Sequence, residues 1–477
     1  MNRDLQFLIF VMDGLRPDLA TPERMPNLHR LQHQGTTYSD ARAAFPSETR
    51  VNQATLVTGC WPARHGLVAN QFIAPELYPD GLLNTGKVEE LIAADQRSGG
   101  GILTAPDLGA VLHAAGGSLA VLGSGTTGGN RILHRRAREL GQLNMSLHGQ
   151  EATTTPEAAE ATLAEIGPVP AATLPNTGRS RWLADAYMHD VAPRLEPTVT
   201  ILWFSDPDST YHYRGIGSPE AAEAMAEVDR QLGRILDWRE AEGRVDRLNM
   251  IAVSDHGHVS VIGDPVDVTG RLATAGFDGN IAVAASSCGG LYPDSGIDPA
   301  EVTGWLQQQD WCGPLLSAGP QPLPGTLATA DANLDHPRAA PITFVLAADL
   351  GAGSGGLPGR TRHDNPAIPA GGSMHGGLTP IELRQYLAMS GPSFGSGRGI
   401  DTPAGLVDIM PTLLHLLDIA PPGPCDGRVL GEALRKATPA LTVTAHSLTI
   451  RNGNGFDLVF DWQEVAGQRY LAGARRL

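Results

Sequence analysis

Six side chains of the kinds that bind metal ions stand at corresponding places along the chain. Three aspartates follow apolar runs that read as buried strands, and three histidines accompany them or lie in a later glycine-rich segment: Asp13, Asp208, His212, Asp255, His256 and His375. The carboxyl ends of parallel strands meet at one edge of an open α/β sheet, so these residues are expected to converge. Mixed oxygen and nitrogen ligands suit zinc or a similar transition metal better than calcium or magnesium. The pattern therefore predicts a two-metal site.

A hydroxyl nucleophile and an amide lie in the stretch FPSETRVNQATLVTGCWPARHGLVAN, residues 45–70. Thr49 stands where a proline and polar residues give way to an apolar-periodic run, which predicts a helix N-terminus. Such a terminus attracts anions. Asn70 lies on the segment that returns from this helix. Taken alone, Thr49 is better explained as a simple helix N-cap, and its catalytic interpretation depends on the predicted metal site.

Together these motifs resemble the alkaline phosphatase superfamily and, within it, the type I phosphodiesterase/nucleotide pyrophosphatase family. The resemblance is carried, in order, by MDG, FPSETRVNQATLVTGCWPARHGLVAN, DPDSTYH, SDHGH, MHGGLTP and LVDIMPTLLHLLDIAPP. It implies two ligand groups, Asp13, Thr49, Asp255 and His256 for one Zn²⁺ and Asp208, His212 and His375 for the other. Another divalent transition metal is compatible with the same ligands.

The resemblance also implies a mechanism on a small-molecule phosphate ester. Thr49 would attack phosphorus and form a phosphothreonine, because metal coordination would lower the pKa of an otherwise poor nucleophile. The second metal would stabilise the leaving oxygen, and Asn70 would hydrogen-bond a phosphoryl oxygen. The expected substrate is a phosphodiester or a nucleotide pyrophosphate.

Other functions stay open for the same residues. Phosphate monoesters and phosphonates are alternative substrates, since phosphonoacetate hydrolases resemble this pattern too. A catalytically silent binding protein of the same fold is the alternative outside enzymes. The complete ligand set, together with Thr49 and Asn70, argues against a silent protein.

Two residues near these motifs are assigned to other roles. His258 is interpreted as a supporting or surface histidine, because the seven-ligand set is complete without it. Cys60 begins a Cys-x-Pro-x-Arg pattern that resembles the nucleophile motif of sulfatases. In sulfatases that cysteine precedes the Thr-Gly pair by nine residues, a position that Thr49 occupies here, whereas Cys60 follows Thr58-Gly59. A sulfatase is therefore disfavoured.

Several cations could contact phosphate outside the motifs. Arg131, Arg135 and Arg136 follow a predicted strand, although a solvated helix face explains them more simply. Arg50 has a stronger claim because it follows Thr49 directly.

Alternating apolar strands and amphipathic helices predict an α/β fold, a doubly wound and mostly parallel central sheet with helices on both faces, as in alkaline phosphatase. Residues 1–265 and 365–436 are assigned to this catalytic core and residues 266–364 to an inserted cap that shapes the substrate pocket. Residues 437–477 are assigned to a C-terminal β appendage containing a hairpin with Asn-Gly turn chemistry. Four aromatic residues of the cap could stack on a substrate or fill its core: Phe277, Trp305, Trp311 and Phe344.

The composition narrows the partners and the location. The formal net charge is −16, which disfavours binding to nucleic-acid polymers or membrane surfaces. Small anionic substrates remain compatible because bound cations invert the local field. The four cysteines read as free thiols, although Cys288 and Cys312 could pair. With no leader-like or membrane-spanning run before the first strand, we expect a cytoplasmic protein. The oligomeric state is not encoded in any readable pattern.

Overall fold

The computed structural model describes residues 1–277, 281–284, 286–439 and 441–477. The strands are, in chain order, β1 Gln6–Met12, β2 Gly35–Arg42, β3 Gln71–Ile73, β4 Leu82–Asn84, β5 Leu119–Gly123, β6 Asn144–Ser146, β7 Val199–Phe204, β8 Leu248–Val253, β9 Val259–Val261, β10 Ile281–Ala284, β11 Cys288–Tyr292, β12 Cys312–Ser317, β13 Leu327–Ala328, β14 Ile342–Leu346, β15 Ala348–Ala352, β16 Pro358–Thr361, β17 Ser373–Met374, β18 Arg384–Ser390, β19 Arg398–Ile400, β20 Ala404–Gly405, β21 Val443–Ile450, β22 Leu458–Val465 and β23 Gln468–Arg476.

The helices have the following bounds. They are α1 Pro26–Gln34, α2 Thr49–Thr58, α3 Pro62–His65, α4 Val88–Ser98, α5 Leu108–Ala114, α6 Thr127–Leu133, α7 Pro156–Ile166, α8 Thr177–Ala186, α9 Asp208–Arg214, α10 Pro219–Ala241, α11 Val268–Thr274, α12 Pro299–Gln307 and α13 Ile409–Leu416. A π-helical turn, Tyr187–Leu195, continues α8.

The central sheet has the strand order β19-β2-β18-β8-β1-β7-β5-β6, with β20 beside β2. The run from β8 to β6 is parallel throughout, and β18 is antiparallel to both of its neighbours. Successive side chains of a strand point to opposite faces of a sheet. In β1, Phe7 and Ile9 accordingly enter one hydrophobic cluster, whereas Leu8 and Phe10 enter another.

Helices cover both faces. Helices α2, α5 and α13 contribute to the first cluster, and α1, α8 and α10 contribute to the second. The long helix α10 begins where the sequence predicts, because the Ser218 hydroxyl accepts the Ala221 N–H at 3.0 Å and Pro219 occupies the first turn. The predicted doubly wound, mostly parallel α/β fold is confirmed.

Among the described residues, a short β3-β4 pair and three larger sheets lie outside the central sheet. Strands β10-β11-β14-β12-β13 form a sheet within the inserted segment, whereas β15-β16-β9-β17 joins strands from that segment with strands on either side of it. The C-terminal hairpin acquires a third strand and forms β21-β22-β23. The Tyr470 hydroxyl of this last sheet donates to Asp408 at 3.0 Å. The division into core, cap and appendage stays a prediction.

Cys288 and Cys312 lie opposite neighbouring residues of β14, and both are free thiols, as are Cys60 and Cys425. Among the described helices, none combines the length and the apolar character that crossing a membrane requires.

Candidate active site

The three aspartates lie at the carboxyl ends of adjacent strands. Asp13 directly follows β1, Asp255 lies two residues after β8, and Asp208 begins α9 shortly after β7. Because β1 is hydrogen-bonded to both β7 and β8, these strands lie only about 4.8 Å apart. The sheet therefore brings together three carboxylates that are far apart in the sequence.

The first ligand group converges on the Thr49 hydroxyl. Thr49 Oγ1 lies 3.2 Å from His256 Nε2, and the same nitrogen is 3.2 Å from Asp255 Oδ2 and 3.5 Å from Asp13 Oδ1. All four residues are buried. One cation at this point could contact each of the four ligand atoms.

Two orphaned carboxylate oxygens show that this group fits a metal ion. Asp13 Oδ2 accepts the Trp203 Nε1–H at 2.8 Å, and Asp255 Oδ1 accepts the Gly14 N–H at 2.9 Å. The other oxygen of each carboxylate is buried and makes no hydrogen bond among the described residues. Burial raises the pKa of both aspartates, and the charges of Asp255 and Asp208 raise that of Asp13 further. A bound cation would relieve this desolvation and repulsion.

The second ligand group surrounds Asp208. His212 Nε2 lies 3.2 Å and His375 Nε2 3.5 Å from Asp208 Oδ1. The opposite ring nitrogens are anchored, since Nδ1 of His212 donates to the Ser373 carbonyl at 2.8 Å and Nδ1 of His375 donates to the Ser47 carbonyl at 2.9 Å. This pattern leaves both Nε2 lone pairs directed at the group, as metal-binding imidazoles require.

His258 belongs to the same surroundings and is not a surface residue. Its side chain is fully buried, Nε2 lies 2.6 Å from Asp208 Oδ1, and Nδ1 lies 3.0 Å from Ser373 Oγ. Burial lowers the pKa of His258 to about 3, which favours its neutral imidazole. The ligand atoms of His258 group with those of Asp208, His212 and His375. Sequence reasoning gave this histidine too little weight because the expected ligand set was already complete.

Thr49 is the first residue of α2 and not its N-cap. Glu48 occupies the N-cap position without a side-chain cap, which excludes the N-cap interpretation of Thr49. Gly59 ends the helix in the left-handed conformation at φ 62°, as the Thr-Gly pair predicts.

Glu48 also positions Asn70. One Glu48 carboxylate oxygen accepts a short hydrogen bond from the Asn70 N–H, and the other accepts the Ser286 hydroxyl at 2.8 Å. The Asn70 side-chain oxygen accepts the Arg50 N–H at 3.1 Å, which leaves its Nδ2 group to donate to a ligand. Sequence reasoning missed Glu48, although its place directly before the nucleophile was a usable signal.

A cavity of about 610 Å³ opens at these groups. Its near end is formed by Asp13, Asp208, His212 and His375 with Thr49, Arg50 and Asn70, and its far end by residues 124–126, His148, residues 172–174, Asn176, Arg179 and Ser205. Ser209, Tyr213, Arg214, Asn365, Ile368 and Met374 also line it. Among the described residues of the inserted segment, Ser286 is the one that lines it. The expectation that the cap shapes the pocket is therefore wrong for most of this wall, which comes from the core.

The other candidates from the sequence lie outside the cavity. Arg131 binds Asp95 at 3.0 Å, and Arg135 lies between Asp95 and Asp107 at 3.7 and 3.4 Å. Arg136 pairs with Glu139. These ion pairs explain the arginines without a phosphate.

The aromatic residues of the insertion do not face the cavity either. Trp311 and Phe344 are buried in the first hydrophobic cluster, with Phe277 and Trp305 packed against it. Among the described residues that line the cavity, Tyr213 is the aromatic residue other than histidine. Cys60 lies at the exit of α2, where its Sγ approaches the Pro424 carbonyl at 3.7 Å.

Fold and site together define an α/β protein with a candidate two-metal centre at the carboxyl edge of its sheet. The sequence model of the family described as type I phosphodiesterase/nucleotide pyrophosphatase matches residues 7–296, more than half of the chain. This chain belongs to that family, as its motifs predict.

Individual relatives are distant. Venom phosphodiesterase of Macrovipera lebetinus is 25% identical over 261 residues, which cover 52% of this chain and 25% of the relative. Ectonucleotide pyrophosphatase/phosphodiesterase family member 7 of Rattus norvegicus is 26% identical over 259 residues, or 54% of this chain and 50% of the relative. The chain thus aligns with only a quarter to a half of the length of these relatives.

The fold has a solved counterpart. Murine ectonucleotide pyrophosphatase/phosphodiesterase 5, an inactive variant in complex with AMP, superposes with a TM-score of 0.63 at 17% sequence identity. The superposition covers 90% of this chain and 100% of that one. It confirms the overall architecture.

Proposed function

We propose that the chain hydrolyses phosphate esters at a centre of two Zn²⁺ ions, with a phosphodiester or a nucleotide pyrophosphate as the preferred substrate. Another divalent transition metal would fit the same ligands. The observation that carries the proposal is the convergence of two orphaned, buried carboxylate oxygens, on Asp13 and Asp255, with the Thr49 hydroxyl. Family membership and the AMP complex of the murine neighbour support a nucleotide-like substrate.

The contacts support two ligand groups. Asp13, Thr49, Asp255 and His256 would hold one cation, and Asp208, His212 and His375 would hold the other. Bound cations would supply the positive charge that lowers the pKa of the Thr49 hydroxyl and stabilises the leaving oxygen.

Thr49 and Asn70 have separate roles in the proposed reaction. Thr49 Oγ1 forms a bond to phosphorus while the bond to the leaving oxygen breaks, and water later hydrolyses the phosphothreonine. Asn70 Nδ2 donates to a phosphoryl oxygen. The Asn70 side chain is held in place because its Oδ1 accepts the Arg50 N–H. The N-terminus of α2 favours the same anion.

Arg50 supports a second candidate reaction. Arg50 lines the cavity beside Thr49, and its Nε is buried without a hydrogen-bond partner among the described residues. A phosphate monoester or phosphonate carries more negative charge than a diester and would gain more from this cation. Hydrolysis of monoesters or of phosphonates resembling phosphonoacetate is therefore the second candidate.

Location and partners are proposed from the same evidence. Four free cysteines fit a reducing, cytoplasmic compartment. The acidic net charge supports a small-molecule substrate over a nucleic-acid polymer or a membrane surface.

The test compares bis-p-nitrophenyl phosphate with p-nitrophenyl phosphate as substrates of the zinc-loaded protein. We expect the diester to be hydrolysed faster and Thr49→Ala to lower kcat by roughly 10³-fold or more. Thr49→Ser is the matched control, since it keeps a hydroxyl at the same place. Dominant monoester turnover would favour the Arg50-based alternative. No turnover of either ester by protein with bound metal would refute phosphate ester hydrolysis.

A further inference from the structure

The far end of the cavity has its own unmatched charge. Among the described residues that line the cavity, the carboxylates are Asp13 and Asp208, and both belong to the candidate metal groups. The far end instead presents hydroxyl groups, an asparagine amide, Arg179 and His148. This end therefore offers hydrogen-bond donors and positive charge, and no carboxylate lines it among the described residues.

Arg179 is the least satisfied of these groups. The residue is only 9% exposed, and its Nε donates to the Pro170 carbonyl at 3.1 Å. Its Nη1 is buried and has no hydrogen-bond partner in the described part of the chain. A buried guanidinium ordinarily has a counter-charge or a full set of acceptors, so a group on a ligand is the expected partner.

The carboxylates of the metal groups do not fill this role. Burial lowers the pKa of Arg50, and the charges of Glu48, Asp13 and Asp208 oppose that change. Burial also lowers the pKa of Arg179, and among the described residues no carboxylate opposes that change. Arg50 and Arg179 are thus electrostatically separate, and Arg214 is a third arginine that lines the cavity.

His148 lines the same cavity as Arg179. The pKa of His148 is lowered first by partial desolvation and then by the Arg179 charge. Ser124 and Gly125, which also line the cavity, follow β5, and His148 follows β6. Arg179 therefore serves the part of the cavity above β5 and β6.

The sheet gives the separation between the two ends. Strands β1, β7 and β5 are consecutive neighbours, and each step along the sheet is about 4.8 Å. An anion above β5 would therefore lie on the order of 10 Å from the phosphorus atom held above β1. One organic group of moderate size spans that distance.

We propose that the far end, with Arg179 as its main contact, binds a second anionic group of the substrate, a carboxylate or phosphate carried by the organic part of the ester. This inference rests on the proposed hydrolysis of phosphate esters at Thr49. The cleaved ester lies at the near end, and Arg179 selects esters with an anionic substituent over neutral ones of the same shape.

A matched set of diesters tests the proposal. Phenyl p-nitrophenyl phosphate, its 4-carboxyphenyl analogue and its 4-trimethylammoniophenyl analogue share a leaving group and differ in the charge of the other substituent. We expect kcat/KM to be about tenfold to a hundredfold higher for the carboxylate than for the neutral ester, the range for a hydrogen bond to a charged group. The cationic ester should be the poorest of the three.

Variants assign that preference to one side chain. Arg179→Gln should abolish the preference for the carboxylate, and Arg179→Lys should keep part of it. The matched control is Arg181→Gln on the same helix, because Arg181 is exposed and should keep the wild-type ratio. A wild-type ratio near one, or an unchanged ratio in Arg179→Gln, would overturn the proposal.

Calorimetric binding separates this inference from the proposed reaction. Zinc-loaded Thr49→Ala should bind phenyl 4-carboxyphenyl phosphate about tenfold or more tightly than diphenyl phosphate, and the Arg179→Gln substitution should remove that difference. If the wild type hydrolyses none of the esters but the binding difference depends on Arg179, the result supports the anion site and refutes the proposed hydrolysis. Turnover without any such difference leaves the reaction standing and overturns the site.

Discussion

The two ends of the cavity carry unmatched charges of opposite sign. At the near end, Asp13 and Asp255 each leave a buried oxygen without a hydrogen-bond partner among the described residues, whereas at the far end Arg179 leaves a buried N–H group without one. Leaving such groups unpaired costs free energy in the empty protein. The near end is suited to cations and the far end to an anion, so ligand charge distinguishes the two.

The two ends also differ in how the fold builds them. At the near end, the three aspartates come soon after strands β1, β7 and β8, so the sheet fixes their spacing. At the far end, Arg179 comes from α8, whose N-cap residue Asn176 donates its backbone N–H to Asp206 at 2.6 Å and its side-chain amide to Ser205 Oγ at 3.3 Å. The position of Arg179 therefore depends on how these hydrogen bonds hold the start of α8.

The largest effect after loss of Thr49 is expected at Asn70. Asn70→Ala removes a donor aimed at the charge that develops on the phosphoryl group, and kcat should fall by roughly 10²- to 10³-fold. Asn70→Asp keeps the acceptor for the Arg50 N–H but places a negative charge beside the phosphate. Its kcat should therefore fall at least as far as that of Asn70→Ala. Steady-state kinetics on bis-p-nitrophenyl phosphate measures both. Full activity in Asn70→Asp would show that this side chain does not contact the phosphoryl group.

A smaller effect is expected for Glu48, which positions Asn70 without touching substrate. Glu48→Ala leaves the Asn70 N–H without its acceptor, so kcat should fall about tenfold while KM changes little. Glu48→Gln can still accept from Asn70 and donate to Ser286 and should recover most of the activity. Equal losses in Ala and Gln variants would instead indicate that the charge of Glu48 matters.

The smallest effect concerns stability at the far end. Arg179→Gln removes a buried charge that lacks a counter-charge, so the ligand-free variant should unfold at the same temperature as the wild type or on the order of 1–2 °C higher. Differential scanning calorimetry of both proteins, with Arg181→Gln as the exposed control, measures the shift. A clear loss of stability in Arg179→Gln alone would mean that the guanidinium stabilises the fold. That result would contradict the view that it is an unpaired charge available to a ligand.

The near end was largely readable from the sequence. Each aspartate follows a run of apolar residues long enough for a buried strand, and parallel strands of one sheet bring such ends together. The order of the motifs then gave the family. His258 was harder to place, because its role depends on how closely its ring approaches Asp208.

The far end could not be read in the same way. Arg179 and Arg181 are the same residue type two positions apart on α8, yet the first is buried and the second exposed. Their difference depends on the phase of the helix relative to the cavity, which no local pattern specifies. The third strand of the C-terminal sheet was missed for a related reason, since QRYLAGARR shows weak alternation and gains its partners from β22.

Metal content tests the central claim most directly. Wild-type protein loaded with zinc and dialysed against metal-free buffer should retain about two equivalents by mass spectrometry of the metal, as a paired-metal centre requires. Asp13→Asn and Asp208→Asn, each disrupting one ligand group, should retain about one equivalent. Wild-type protein without bound metal, or both variants with the full wild-type content, would contradict the assignment of these carboxylates to a two-metal centre.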